Sequence, residues 1–168
     1  MVIRCWEETD SLEELTELLH RAYARLGAMG LNYTAVDQSV EVTAERVGEG
    51  VCFVAVLDNR LVGTIVVTPT NPADSCTYYA RPDVAGAQQF AVEPGMQGQG
   101  IGRALLQVAE ERAQSDGYAY LALDTAEEAT HLIEFYQRLG YELVGSVKWQ
   151  SKVYTSVILS KPLSNSGG

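Results

Sequence analysis

Residues 97 to 102 read Gln97-Gly98-Gln99-Gly100-Ile101-Gly102, a spelling set between an apolar strand-like run and a helical one. Such a junction gathers backbone N–H groups that have no intrahelical acceptor, at the positive end of a helix dipole. It is a seat for a phosphate or pyrophosphate. A Cβ at positions 98, 100 or 102 would hold anion oxygens away from the amides, and glycine removes it. Two other phosphate-binding spellings fail. A nucleoside-triphosphate loop needs Lys followed by Ser or Thr where this chain has Arg103-Ala104. A dinucleotide fingerprint counted from Gly98 needs Gly or Ala at Arg103, and it opens an early strand–helix unit instead of standing past mid-chain.

Other reactive side chains lie on either side of this turn. Glu93 and Asp124 each follow the end of an expected strand, where a carboxylate could take a proton directly or through water. Glu93 precedes Pro94 and could equally shape the turn, and Asp124 could cap the next helix. Tyr136 belongs to a helical stripe with Leu132, Ile133 and Leu139, where a phenol can pack its ring and still present its hydroxyl. Cys5 and Cys52 sit in apolar runs and read as small core residues; Cys5, Cys52 and Cys76 lack the close spacing of zinc ligands or a disulfide framework. No metal site is expected. His20 and His131 fall in helical runs without evident partners.

The elements that must position these residues follow from periodicity. Residues 2 to 6 read as a strand. Asp10-Ser11 then open an amphipathic helix that runs to about Leu26. A second short helix is expected around residues 40 to 47. Residues 51 to 57 and 61 to 68 form a hairpin across Asp58-Asn59-Arg60. Residues 69 to 82 are either loop or a weak strand at 77 to 80. A strand over 87 to 92 leads into the glycine turn and a helix stopped by Asp116-Gly117. A strand over 120 to 123 precedes a helix opened by a Thr125/Glu128 capping box and ended by Gly140. Strands over 141 to 147 and 153 to 159 close the chain. This order gives a mixed sheet with helices on its faces.

Composition narrows the partners. The 168 residues are enough for one core, and one domain over residues 1 to 163 with a frayed tail at 164 to 168 is expected. Asp and Glu number 22 against 12 Lys and Arg, which disfavours a phosphate backbone as partner, so no nucleic acid is expected. Neither a signal-peptide core nor a membrane-spanning apolar stretch is present, and free cysteines suit a reducing cytoplasm. No membrane partner is expected. An exposed C-terminal strand over 154 to 159 could pair with a second copy in a homodimer.

Taken together, Gln97, Gly100 and Gly102 match the pattern Gln or Arg, two residues, Gly, one residue, Gly or Ala, and so resemble the GNAT N-acetyltransferase superfamily. Phe90-Ala91-Val92-Glu93-Pro94 before the turn and Arg103-Ala104-Leu105-Leu106 after it look like that family's fourth strand and third helix. Phe135-Tyr136-Gln137-Arg138-Leu139-Gly140-Tyr141 is similar to its later helix. The resemblance implies an α/β fold, mixed α+β, with a mostly antiparallel sheet of six to seven strands, helices on both faces and a splay between strands 4 and 5. It implies acetyl-CoA as cosubstrate. Phe90, Ala91 and Val92 would pair with the pantetheine arm, and Gln97, Gly98, Gln99, Gly100, Ile101, Gly102 and Arg103 would hold the pyrophosphate. Many members carry an asparagine early in the later helix, where this chain has Ala129-Thr130.

The implied reaction moves an acetyl group directly to a primary amine of a small molecule or protein. An amine of pKa about 10.4 is only about 0.04% deprotonated at pH 7, so a base must help. Glu93 or Asp124 would supply it. Tyr136 would protonate the leaving thiolate, and backbone amides would stabilise the oxyanion. The alternative reading is a catalytically inactive module that binds an acyl-CoA as a sensor. Residues 23 to 38, with Tyr78, Tyr79 and Trp149, would line the acceptor side.

Overall fold

The computed structural model describes residues 1 to 163, and the expected tail at 164 to 168 lies outside the described residues. The elements run β1 (Val2–Cys5), α1 (Leu12–Ala28), α2 (Thr34–Asp37), α3 (Val40–Val47), β2 (Val51–Leu57), β3 (Arg60–Thr68) and β4 (Val84–Val92). After a 3-10 turn at Pro94–Met96 come α4 (Ile101–Ser115), β5 (Tyr120–Ala126), α5 (Thr130–Arg138), β6 (Glu142–Val147) and β7 (Ser156–Pro162). The strands join in the order β1-β2-β3-β4-β5-β7-β6. β4 and β5 are parallel, and the pairs β1–β2, β2–β3, β5–β7 and β6–β7 are antiparallel. The chain forms two compact units, with β4 and α4 contributing residues to each.

The first unit comprises Met1–Thr68 and Gln88–Ala109. Ser11 caps α1 by accepting from the Glu14 amide at 3.1 Å, which satisfies one of the helix's orphan donors. Leu15, Leu18 and Leu19 form the buried stripe of α1 and pack with Cys52, Val54, Leu61 and Val66. The β2–β3 joint is a two-residue turn in which Asp58 and Asn59 both have positive φ, 50° and 62°, matching the twist of a hairpin. The register passes over Val62 between Ala55 and Val56, so the bulge returns Leu61 to the α1 face. On the other face a Cβ built on Gly63 would lie 2.8 Å from Leu105 and 3.3 Å from Ile101, so α4 covers that side. This unit therefore carries helices on both faces of its strands.

The second unit comprises the described residues of Pro69–Ala87 and Glu110–Gly168. β5 pairs along its whole length with β7, from Tyr120↔Pro162 to Ala126↔Ser156. That ladder overrides the expected capping box: Thr125 is a strand residue, and α5 starts at Thr130 behind Ala129 with no side-chain cap. Residues 77 to 80 form turns, not a strand. They are nonetheless packed, because Tyr78 and Tyr79 lie against a small core of Cys76, Val84, Ala122 and Ile158. The expected exposed strand at 154 to 159 is corrected as well. β7 is flanked by β5 and β6 and mostly buried, so the edge strand of this unit is β6, with Leu143 and Val144 exposed. Among the described residues no helix is long and apolar enough to cross a membrane.

Candidate functional site

β4 delivers the chain to the glycine turn with its last residues anchored. The Glu93 amide donates to the Val62 carbonyl at 2.8 Å, holding the end of β4 to β3. Pro94–Met96 make one 3-10 turn, and residues 97 to 100 then bend into α4. Gly98 and Gly100 have φ of 82° and 84°, the left-handed region in which a residue with a Cβ is strained by roughly 1–2 kcal/mol. Among the described residues, no atom beyond their chain neighbours lies within 4 Å of a Cβ built on either, so the space beside them is open. Ile101 and Leu105, 4% and 0% exposed, seat the first turns of α4 in the core.

The amides of this turn point to no partner among the described residues. Ala104 is the first to find a carbonyl, that of Gly100 at 3.0 Å. Among the described residues, those of Gln97, Gly98, Gln99, Gly100, Ile101, Gly102 and Arg103 have no hydrogen-bond acceptor. Residues 97 to 100 are exposed, so the donors are open to a ligand. The cradle fits a pyrophosphate: successive N–H groups at the N-terminus of a fifteen-residue helix, with no Cβ at three of its residues, Gly98, Gly100 and Gly102.

Phe90, Ala91 and Val92 precede the cradle on β4. Tyr23 Oη donates to the Phe90 carbonyl at 2.8 Å, and Gln97 Nε2 lies 3.5 Å from the Val92 carbonyl. Among the described residues the β4–β5 ladder runs over Val84, Ala85 and Gly86 against Tyr120, Leu121 and Ala122, so the pairing ends well short of the C-terminal end of β4. Gln89, three residues beyond that ladder, has φ of 51°. Sequence reading missed it, because nothing in Ala87-Gln88-Gln89-Phe90 spells a left-handed residue.

Both candidate bases have partners. Glu93 stands just past β4, as expected, and Arg21 of α1 grips its two oxygens at 2.8 to 3.2 Å. Asp124 was expected after its strand but lies within β5. Its Oδ1 accepts from Tyr79 Oη at 2.7 Å and its Oδ2 from Trp149 Nε1 at 2.9 Å. The two rings stack 6.3 Å apart. Burial first, then the Asp124 charge, holds the Tyr79 phenol well above its ordinary pKa, so it stays a neutral donor. A carboxylate offers about four lone-pair sites, so each of these groups keeps room for a further water or amine. The helix-capping reading of Asp124 is excluded by its place in the strand.

Tyr136 lies on α5, 7% exposed, with its ring against Phe135 and edge-on to Tyr141 at 5.9 Å. Cys52 is buried, and burial pushes its thiol up to about 11, so it is no nucleophile at neutral pH. Cys5, expected in the core, is exposed on β1. His20 does have a partner: its Nε2 lies 2.7 Å from the Gln38 carbonyl and so carries the proton. Among the described residues no group of three or more His, Cys, Asp or Glu could hold a metal ion.

Comparison with known proteins bears on this arrangement. The model of the acetyltransferase (GNAT) family matches residues 12–141. Over 131 residues the chain is 31% identical to S-(2-succino)cysteine N-acetyltransferase of Bacillus subtilis (strain 168), covering 77% of each. Among solved structures it is similar to the ribosomal-protein-S18-alanine N-acetyltransferase from Escherichia coli, with TM-score 0.73 and 22% identity over 99% of this chain and 96% of that one. It is likewise similar to a GNAT family acetyltransferase from Elizabethkingia anophelis with acetyl-CoA bound, with TM-score 0.71 and 19% identity over 96% and 97%. These two structural likenesses speak for the fold. Given the match across most of its length and the Bacillus relative, the chain belongs to the acetyltransferase (GNAT) family.

Proposed function

We propose that the protein transfers the acetyl group of acetyl-CoA to a primary amine of a small molecule or protein, directly and in a ternary complex. The observation that carries this is the run of amides over residues 97 to 103 that have no acceptor among the described residues, which suits the two linked phosphates of coenzyme A. A structural neighbour with acetyl-CoA bound supports the donor, and a relative that is an S-(2-succino)cysteine N-acetyltransferase supports an amine acceptor. That relative's name favours a small molecule over a protein.

Each residue then has a task. Gln97, Gly98, Gln99, Gly100, Ile101, Gly102 and Arg103 bind the pyrophosphate, and the backbone of Phe90, Ala91 and Val92 aligns the pantetheine arm. Tyr136 donates a proton to the departing thiolate. Glu93 or Asp124 removes a proton from the amine, directly or through water. Burial of Cys52 and its raised thiol pKa argue against that residue as an acetyl carrier. A free-thiol assay with acetyl-CoA and a panel of small amines tests the reading. Amine-dependent thiol release is expected, whereas coenzyme binding with no release against any amine would favour the sensor.

A further inference from the structure

Gln89 lies inside β4, is 2% exposed and adopts a left-handed φ of 51°. Residues with a Cβ enter that region at a cost, so something must hold it there. Its side chain ends in a buried polar chain. Gln38, the residue that closes α2, donates from Nε2 to Gln89 Oε1 at 2.7 Å and to Thr43 Oγ1 at 2.8 Å. Thr43 Oγ1 in turn lies 2.7 Å from Thr16 Oγ1 on α1. Arg46 donates to Gln38 Oε1 at 3.0 Å, and His20 donates to the Gln38 carbonyl at 2.7 Å. Gln38 is thus fixed by side chains from α1, α3 and β4. At 5% exposure for Gln38 and 0% for Thr43, water does not replace a lost bond.

We propose that the Gln38–Gln89 contact is a positioning device for the coenzyme strand: it locks residue 89 in its left-handed conformation and so sets the direction of the peptide groups of Phe90, Ala91 and Val92. The inference rests on the functional reading above, in which those peptides align the pantetheine arm. A left-handed residue in a strand re-aims everything after it. Were residue 89 to relax to extended backbone, the Phe90 carbonyl would turn away from Tyr23, which it now meets at 2.8 Å. One detail separates this lock from ordinary packing. Gln89 Nε2 is buried with no hydrogen-bond partner among the described residues, so the side chain sits there at a cost. The bond it does make is the one to Gln38.

The test is a calorimetric titration of coenzyme A into wild type and the variants Gln89→Gly, Gln89→Asn, Gln89→Ala and Gln89→Val. All four lose the Gln38 contact, and they differ in how readily they adopt a positive φ. Affinity is expected to fall in the order Gly, Asn, Ala, Val, with Val at least tenfold weaker than Gly. Gln38→Leu should weaken binding while Gln89 is present, and adding Gln89→Gly to it should restore at least threefold. If Val does not fold, the Asn-to-Ala comparison, in which the larger residue is expected to bind better, and the rescue carry the result. Equal binding by all variants, a ranking by side-chain size, or failure of the rescue would overturn the lock alone. Wild-type protein that takes up no coenzyme A would instead sink the functional reading and the lock with it.

Discussion

Single residues carry most of the proposed chemistry. Gly100 holds φ of 84° beside open space, so Gly100→Val adds strain of roughly 1–2 kcal/mol and places methyls over the cradle amides. Coenzyme affinity should drop at least tenfold by calorimetry while the melting temperature falls only a few degrees. Tyr136→Phe keeps the ring that packs on Phe135 and Tyr141 and removes only the acid, so kcat should fall by about 10²-fold with coenzyme affinity unchanged. A fall in affinity of the same size would make Tyr136 a packing residue. The cysteines give a third test. With the Cys52 thiol pushed up to about 11, only about 0.1% is thiolate at pH 8, while Cys5 is exposed. Alkylation at pH 8 should label Cys5, spare Cys52 and leave thiol-release activity intact, and loss of activity on labelling would contradict direct transfer.

At the scale of elements, sequence reading succeeded where one local signal decided the outcome. Ser11 opens α1 because its hydroxyl meets an orphan amide, and Ser11→Ala should cost about 1 kcal/mol in chemical denaturation. The strand-to-helix junction around Gly98 and Gly100 was legible because backbone conformation there follows residue type. Reading failed where distant pairing competed with a local motif. Thr125 looked like a cap until β7 claimed it for a ladder, and that shift also moved Asp124 from a loop into β5. The partners of the two carboxylates were illegible for the same reason: Arg21 stands 72 residues from Glu93, and Tyr79 and Trp149 stand 45 and 25 residues from Asp124. No window of sequence joins them. The β1–α1 connection offers a pH test. Arg4 grips Asp10 at 2.8 and 2.9 Å, which with the Glu7 amide holds the Asp10 carboxyl below the usual carboxylate range. A depressed carboxylate contributes stability above its unfolded pKa of about 3.9 and loses it as pH falls through the folded value. The melting-temperature gap between wild type and Arg4→Ala should therefore be widest near neutrality and narrow as the pH drops below about 3.9.

For the whole molecule, the formal charge of −10 repels polyanions, while the proposed donor is itself an anion. The charge balance thus gives coenzyme A no general attraction, and the local dipole and amides of one helix end must do the binding. The most direct check is amide-resolved NMR of the ¹⁵N-labelled protein during titration with coenzyme A. The amides of residues 97 to 103 should show the largest shifts and saturate together with the binding heat. Saturable binding that leaves those amides where they were would contradict the account.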